Sequence, residues 1–189
     1  LLSLVTADFE IRTADVDERS AEIEMENKGV PALRVSEHLA ELKAGAVFDL
    51  LSDKEKEDCI VIGADTSVIL DDVIYGKPVD REDAVRMLFS MSGRTHVVAT
   101  GVALFANGSR RVFTEETSVE FNPLDDYQKE LIYAYCDSGS PYDKAGAYGI
   151  QDKGALLIKR IDGDYSNVVG LPVARLAREI ANMVQYPLE

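Results

Sequence analysis

Cysteine is scarce in this chain and tryptophan is absent: only Cys59 and Cys136 occur, beside two histidines, in 189 residues. Two thiols cannot build a disulfide framework, and both lie in apolar contexts (EDCIVIG and IYAYCDS), so they read as buried free thiols of a reducing compartment. No Cys/His spacing suits zinc. Long apolar runs are missing as well: none approaches the roughly 20 residues that a membrane-spanning helix needs. The opening LLSLVTADFEIR carries neither the basic lead nor the small-residue cleavage site of a secretory signal, and a cytoplasmic location is expected. Positive charge is in deficit, with 20 Lys and Arg against 34 Asp and Glu and a formal net charge of −14. Such a balance opposes nucleic acid along any broad face. A small anion can still bind where local cations or a metal reverse the field. No Gly-x-Gly-x-x-Gly turn and no Walker lysine loop occurs, and no repeat, linker or low-complexity tract breaks the chain.

What is present is a 46% hydrophobic composition, enough for one sizeable core or two lobes sharing a sheet. Leu39, Leu42, Ala46, Val47 and Leu50 recur at helical spacing and predict a helix over 35–51. The continuous apolar run CIVIGAD predicts a strand covered on both faces. SVILDDVIYGKP reads as a hairpin or a strand broken at Asp71-Asp72. DREDAVRMLFSMSG is a helix that Asp80 can cap and Gly93 can end. THVVATGVALFA and RRVFTEETSVEF flank Asn107-Gly108, the strongest short hairpin signal, because a type I′ turn needs positive φ twice. LDDYQKELIYAY predicts a helix with Leu124, Tyr127, Leu131 and Tyr135 on one side, and ALLIKRI a strand. A last helix starts near Pro172, with Val173, Leu176, Ala177, Ile180 and Val184 as its stripe. Helices alternate with strands and one hairpin interrupts the rhythm, so the fold class is α/β with a mixed sheet flanked by helices.

Several residues sit where structure alone does not require them. Asp65 ends the strand-like run CIVIGAD, and an ionised carboxylate there needs a cation or hydrogen bonds. It is either a cap for Thr66 and Ser67 or a metal ligand or general base. Lys43 falls inside the apolar arc of its helix, so it either snorkels outward or points into a site. Lys77, between Gly76 and Pro78, is an exposed loop lysine or a phosphate contact. Glu18, in the polar segment ADVDERS, is a solvated loop acid or the second carboxylate of a metal site with Asp65. His38 and His96 read as structural. The segment DKAGAYGIQ (143–151) shows neither helical nor strand period and reads as a flexible glycine turn.

These residues, taken with DVDE, LAELKA, VIGADTSVILDD, GKPVDREDAVRMLFSMSGRTHVVATGVAL, TSVEF, DKAGAYGIQDKGALLIKRIDGDYSNVVGLP, resemble the Maf family of nucleotide pyrophosphatases in order and over almost the whole chain. The resemblance implies a single Maf-like domain over 1–189. Its fold would be ITPase-like, a long twisted mixed sheet flanked by helices, with two lobes around a cleft. It implies hydrolysis of a nucleoside triphosphate to the monophosphate and pyrophosphate with Mg²⁺ or Mn²⁺ as cofactor. The form DKAGAYGIQ implies the dTTP/UTP group, with modified pyrimidine nucleotides as further candidates. Asp65 matches the proton acceptor. Glu18, Lys43, Lys77 and Lys144 match the polar active-site set, and Thr66 and Gln151 match positions tied to substrate choice; with Asp65, Glu18 would complete the two-carboxylate metal site, and Lys144 would add charge for substrate binding. In that light Gly146 and Gly149 let backbone approach a ligand, and Gln151 can read a base edge with donor and acceptor together.

The alternative is a nucleotide-binding regulator of cell division without turnover. The implied partners are a nucleoside triphosphate and, as a candidate, a second copy in a homodimer, with neither nucleic acid nor membrane. Two departures stand out. The family's opening strand and Ser-x-Ser-Pro-Arg-Arg loop would fall just before Leu1, and that segment is expected to exist in the protein. Ser140 stands where the family usually has Glu.

Overall fold

Acidic and hydroxyl caps open most of the helices, and tight turns with positive φ fold the strands back on one another. The computed structural model describes residues 1–106 and 108–185. Helix α1 (Glu18–Asn27) begins after Asp17, whose carboxylate accepts the Ser20 N–H at 3.0 Å. Helix α2 (Ala32–Leu50) follows Pro31, and α3 (Asp53–Asp58) starts at a Ser52–Glu55 capping box. Strand β1 (Val61–Leu70) turns at Asp71 (φ 52) and Asp72 (φ 60) into β2 (Val73–Tyr75), pairing Leu70 with Val73. That is the predicted hairpin. Helix α4 (Arg81–Met91) is capped by Asp80, as expected, with Gly93 at φ 71 beyond its end. Strands β3 (Thr95–Ala106) and β4 (Ser109–Phe121) follow in turn. Asn107 lies outside the described residues, while Gly108 has φ 70. Helix α5 (Asp126–Asp137), strand β5 (Ile158–Asp162), helix α6 (Tyr165–Val169) and helix α7 (Val173–Gln185) complete the order.

The strands form one sheet in the order β2-β1-β3-β4-β5, flanked by helices. The α/β class is as expected. The mixed sheet is not: among the described residues the five strands are antiparallel, including both edge pairs. A two-residue turn joins β1 to β2, and such a turn connects only antiparallel neighbours.

The chain divides into two compact units. The first holds 1–65, 100–115 and the chain from Gly170 onward. In it Val102, Leu104 and Phe113 pack with Ile62 and Ala64 against Leu176, Ile180 and Met183 of α7. The stripe of α7 is therefore 176, 180 and 183. Ala177 and Val184, expected on it, are exposed, because a helix advances 100° per residue and carries them off that face. Ala40 and Ala44 of α2 pack on Ala103 with Val61, Phe105 and Val112 around them. Here helix and sheet meet almost backbone to backbone. A Cβ on Gly63 would stand 2.3 Å from the Ala40 carbonyl oxygen, and one on Gly101 would stand 2.3 Å from the Glu37 Cα.

The second unit holds 66–99 and 116–169. Its core joins Leu88 and Met91 of α4, Val119 and Phe121 of β4, and Ile132 and Tyr135 of α5. The buried face of α5 is Gln128, Ile132, Tyr135 and Cys136. Tyr127 is exposed, so the expected stripe through it is rotated. The expected strand ALLIKRI begins only at Ile158; 153–157 form a 3-10 turn, whose Asp152 cap accepts the Gly154 N–H at 2.7 Å. The segment DKAGAYGIQ is not a loose turn. Ala147 and Tyr148 are buried, and the Tyr148 hydroxyl lies 2.7 Å from His96 Nε2. His96 is thus structural, as expected. Of the two free thiols, Cys136 is buried and Cys59 is exposed, against expectation, because it lies just before β1 rather than in it.

Candidate functional site

Along β1 the side chains alternate between faces. Val61, Gly63 and Asp65 share the face that α2 covers, while Ile62 and Ala64 join the core against α7. Asp65 is not at the strand end, as the apolar run suggested. The extended pattern continues through TSVIL to Leu70, so Asp65 is mid-strand. The glycine at 63 brings α2 close, and Lys43 on that helix reaches Asp65. Its Nζ donates to Asp65 Oδ1 at 2.7 Å and lies 2.9 Å from Glu18 Oε2. Lys43 therefore points into a site. Glu18 opens α1, a helix the sequence reading missed; its Met25 packs on Val35 and Leu39 of α2, which fixes Glu18 beside Lys43.

Lys43 thus sits between two carboxylates drawn from two other elements. Burial alone would lower the Lys43 ammonium; the hydrogen bonds to Asp65 and Glu18 outweigh it and hold the group above its ordinary value. A further acid, Glu22, lies one turn after Glu18. Burial first, and then the charges of Asp65 and Glu18, push its carboxyl up. The i, i+4 spacing of Glu18 and Glu22 was a signal for it once α1 is known. Thr66, next to Asp65 in sequence, falls on the opposite face of β1 by the strand alternation.

In the second unit, the turn after α5 gathers a different set. Gly146 has φ 68, and its N–H donates to the Gly76 carbonyl at 3.1 Å, next to Lys77. A Cβ on Gly146 would meet Val68 Cγ1 at 2.8 Å; on Gly149 it would meet Lys144 Cε at 2.7 Å. The close approach these two glycines allow is therefore to the protein's own side chains. Lys144 Nζ donates to the Ser140 carbonyl at 2.6 Å and to Asp143 Oδ1 at 2.7 Å. Lys77 is exposed, and its charge helps lower the Asp143 carboxyl, after the Lys144 hydrogen bond and charge. Gln151 is exposed.

Asp152 was missed from the sequence. It accepts the Tyr135 hydroxyl at 2.9 Å, the Ser140 hydroxyl at 2.6 Å and the Gly154 N–H at 2.7 Å, and lies 3.6 Å from Lys144 Nζ. The departure at Ser140 thereby gains a physical account, since its hydroxyl engages this carboxylate.

One unit thus holds a lysine clamped by two carboxylates, and the other holds two lysines near a tightly packed glycine turn. The chain belongs to the Maf family: the family described as Maf-like protein matches residues 1–183. Among curated relatives, the dTTP/UTP pyrophosphatase of Acetivibrio thermocellus is 46% identical over 94% of this chain and 86% of its own length. The protein of the same name from Geobacillus sp. (strain WCH70) is 42% identical over 97% of this chain and 91% of its own. That from Symbiobacterium thermophilum is 43% identical over 100% of this chain and 89% of its own.

Proposed function

We propose that this chain is a nucleoside triphosphate pyrophosphatase that hydrolyses dTTP and UTP to the monophosphate and pyrophosphate, with modified pyrimidine nucleotides as further substrates. The observation that carries the reading is the Lys43 clamp on Asp65 and Glu18 in a chain whose relatives bear that enzyme name over nearly their full length. The same names favour turnover over a purely regulatory nucleotide-binding role.

In this reading Asp65 accepts the proton of the water that attacks the α-phosphorus. Lys43 orients that carboxylate through its 2.7 Å hydrogen bond, and shares the charge that develops on phosphate. Lys77 and Lys144 neutralise the phosphates, which a chain of net charge −14 can bind only through such a local set. Gln151 reads the base edge, and Gly146 and Gly149 shape the turn that carries Lys144. Thr66, next to Asp65 in the chain, contributes to the choice of substrate.

Glu18 and Asp65 are the residues that would hold a divalent ion. Their hard carboxylate oxygens suit Mg²⁺ or Mn²⁺. Among the described residues no group of three or more His, Cys, Asp or Glu could hold a metal. That fits Mg²⁺, which takes one or two carboxylates and completes its shell with water and substrate phosphate. When bound, the ion would neutralise phosphate charge and lower the pKa of water.

We place the protein in the cytoplasm, with its nucleotide as partner and a homodimer as its assembly, and without nucleic acid or membrane. Among the described residues no helix is long and apolar enough to cross a membrane. Pyrophosphate release from dTTP, UTP, CTP, ATP and GTP tests the activity. Release from dTTP and UTP at the highest kcat/KM is expected. Nucleotide binding without release would favour the regulatory role and overturn the enzymatic one.

A further inference from the structure

The turn that follows α5 carries two residues of the proposed site, Lys144 and Gln151, yet 138–157 contain no strand and only 3-10 turns. A segment without a ladder needs another device to fix its shape. The bonds around Asp152 supply one. Its Oδ1 accepts the Gly154 N–H at 2.7 Å and the Tyr135 hydroxyl at 2.9 Å. Its Oδ2 accepts the Ser140 hydroxyl at 2.6 Å and faces Lys144 Nζ at 3.6 Å. Tyr135 is anchored in the core at 1% exposure, and its oxygen also accepts the Gly149 N–H at 3.1 Å. The Ser140 carbonyl in turn accepts from Lys144 at 2.6 Å. One carboxylate thus ties the start of the turn, its lysine and its far end to a buried phenol on α5.

We propose that Asp152 is a positioning residue of the reaction, setting Lys144 against the substrate phosphates and holding Gln151, its neighbour in the chain, in register with the base. This rests on the pyrophosphatase reading above and deepens it. Asp152 touches no reacting atom. It acts through Lys144, through Ser140, which orders both ends of the lysine's turn, and through Tyr135, which holds Gly149. Burial pushes the Asp152 carboxyl up, but the hydrogen bonds from Ser140, the Gly154 amide and Tyr135, with the Lys144 charge, together hold it below its ordinary value. The carboxylate is therefore ionised wherever the lysine is needed, and the pair stays matched.

The test is a cycle of variants assayed for pyrophosphate release from dTTP and ATP, with thermal unfolding alongside. Wild type, Asp152→Ala, Lys144→Met and the double variant are compared. Asp152→Ala is expected to raise KM for dTTP roughly 10-fold, the scale of a lost hydrogen bond to a charged group, with a smaller change in kcat. The dTTP/ATP ratio of kcat/KM should shrink as Gln151 loses register. In the Lys144→Met background the same change should cost much less in KM, because residues acting through one another are not additive. If Asp152→Ala fails to fold, Asp152→Asn keeps the Oδ1 acceptor for Tyr135 and Gly154, and carries the same cycle. Unchanged KM, or an equal loss with and without Lys144, overturns the proposal while the pyrophosphatase reading stands. A wild type that releases no pyrophosphate from any nucleotide overturns both.

Discussion

Gly63 and Ala40 lie so close that a Cβ on the glycine would stand 2.3 Å from the Ala40 carbonyl oxygen. The contact seats α2 on β1 and so delivers Lys43 to Asp65. Gly63→Ala would have to push the helix off the sheet. Overpacking of this kind costs typically about 1–3 kcal/mol, and the displaced Lys43 would lose its 2.7 Å bond. Thermal unfolding and pyrophosphate release measured together should both fall. A stable Gly63→Ala variant with full activity would show that the close seat is dispensable.

Removing the ammonium alone separates charge from packing. Lys43→Met leaves Asp65, at 17% side-chain exposure, and Glu18 without the cation that joins them. Breaking a buried pair typically costs about 3–5 kcal/mol; with Glu18 half exposed, about 1–2 kcal/mol is expected. Activity should fall further than stability. Asp65→Asn should keep the fold and lower kcat by roughly 10²–10⁴-fold, the usual worth of a general base. Chemical denaturation and single-turnover rates decide between these outcomes.

In the proposed function, Gln151 is the residue that selects the base. Its amide can donate to a pyrimidine carbonyl and accept from the ring N–H that CTP lacks. Gln151→Ala should lower kcat/KM for dTTP more than for ATP. One neutral hydrogen bond is worth about 0.5–1.5 kcal/mol, so the ratio should shrink roughly 2- to 12-fold. An unchanged ratio would mean that the base is read elsewhere.

His96 predicts an acid-sensitive fold. It is 1% exposed, and burial pushes its imidazole down from 6.5 to about 4. Above pH 6.5 neither folded nor unfolded histidine carries the extra proton, and the group favours neither state. As pH falls from 6.5 towards 4 the unfolded chain binds a proton that the folded chain refuses, so stability drops, by on the order of 3 kcal/mol over that window. Below about 4 both states are protonated and this loss levels off. Tyr148 and Phe121 are the rings against it. Urea titrations at pH 7 and 4.5 should differ for wild type, and His96→Gln should narrow the difference; an equal difference in both would clear His96.

Much of this architecture was legible from the sequence, because period and caps are local. The apolar spacing of 35–51 and the acids of DREDAV each mark an element that tertiary packing then kept. What stayed hidden depends on partners far along the chain. Helix α1 offers Met25 and the small Ala21 to a core, so ERSAEIEMEN has too little stripe to reveal itself; its Asp17 cap was the available sign. Asp65 was placed at the end of its strand rather than within it, since CIVIGAD and TSVIL differ in polarity while sharing one extended backbone. The glycines of DKAGAYGIQ suggested openness, yet in the structure Val68 and Lys144 fill the space that missing Cβ atoms leave. Asp152 could not be distinguished from other surface acids until Tyr135 and Ser140, 17 and 12 residues earlier, were seen to converge on it.

The clamp on Lys43 also decides how that amine behaves as a nucleophile. Acylating reagents consume the free-base form with an available lone pair. Lys43 is partly shielded, is held protonated, and donates to Asp65 while lying within 2.9 Å of Glu18. Lys77 is exposed to solvent. A limited dose of an amine-modifying reagent would therefore mark Lys77 well before Lys43. Immobilising or labelling the protein through its lysines would spare the carboxylate clamp while capping the loop proposed to meet phosphate, so a preparation could keep its fold and its proposed proton acceptor and still lose its grip on nucleotide.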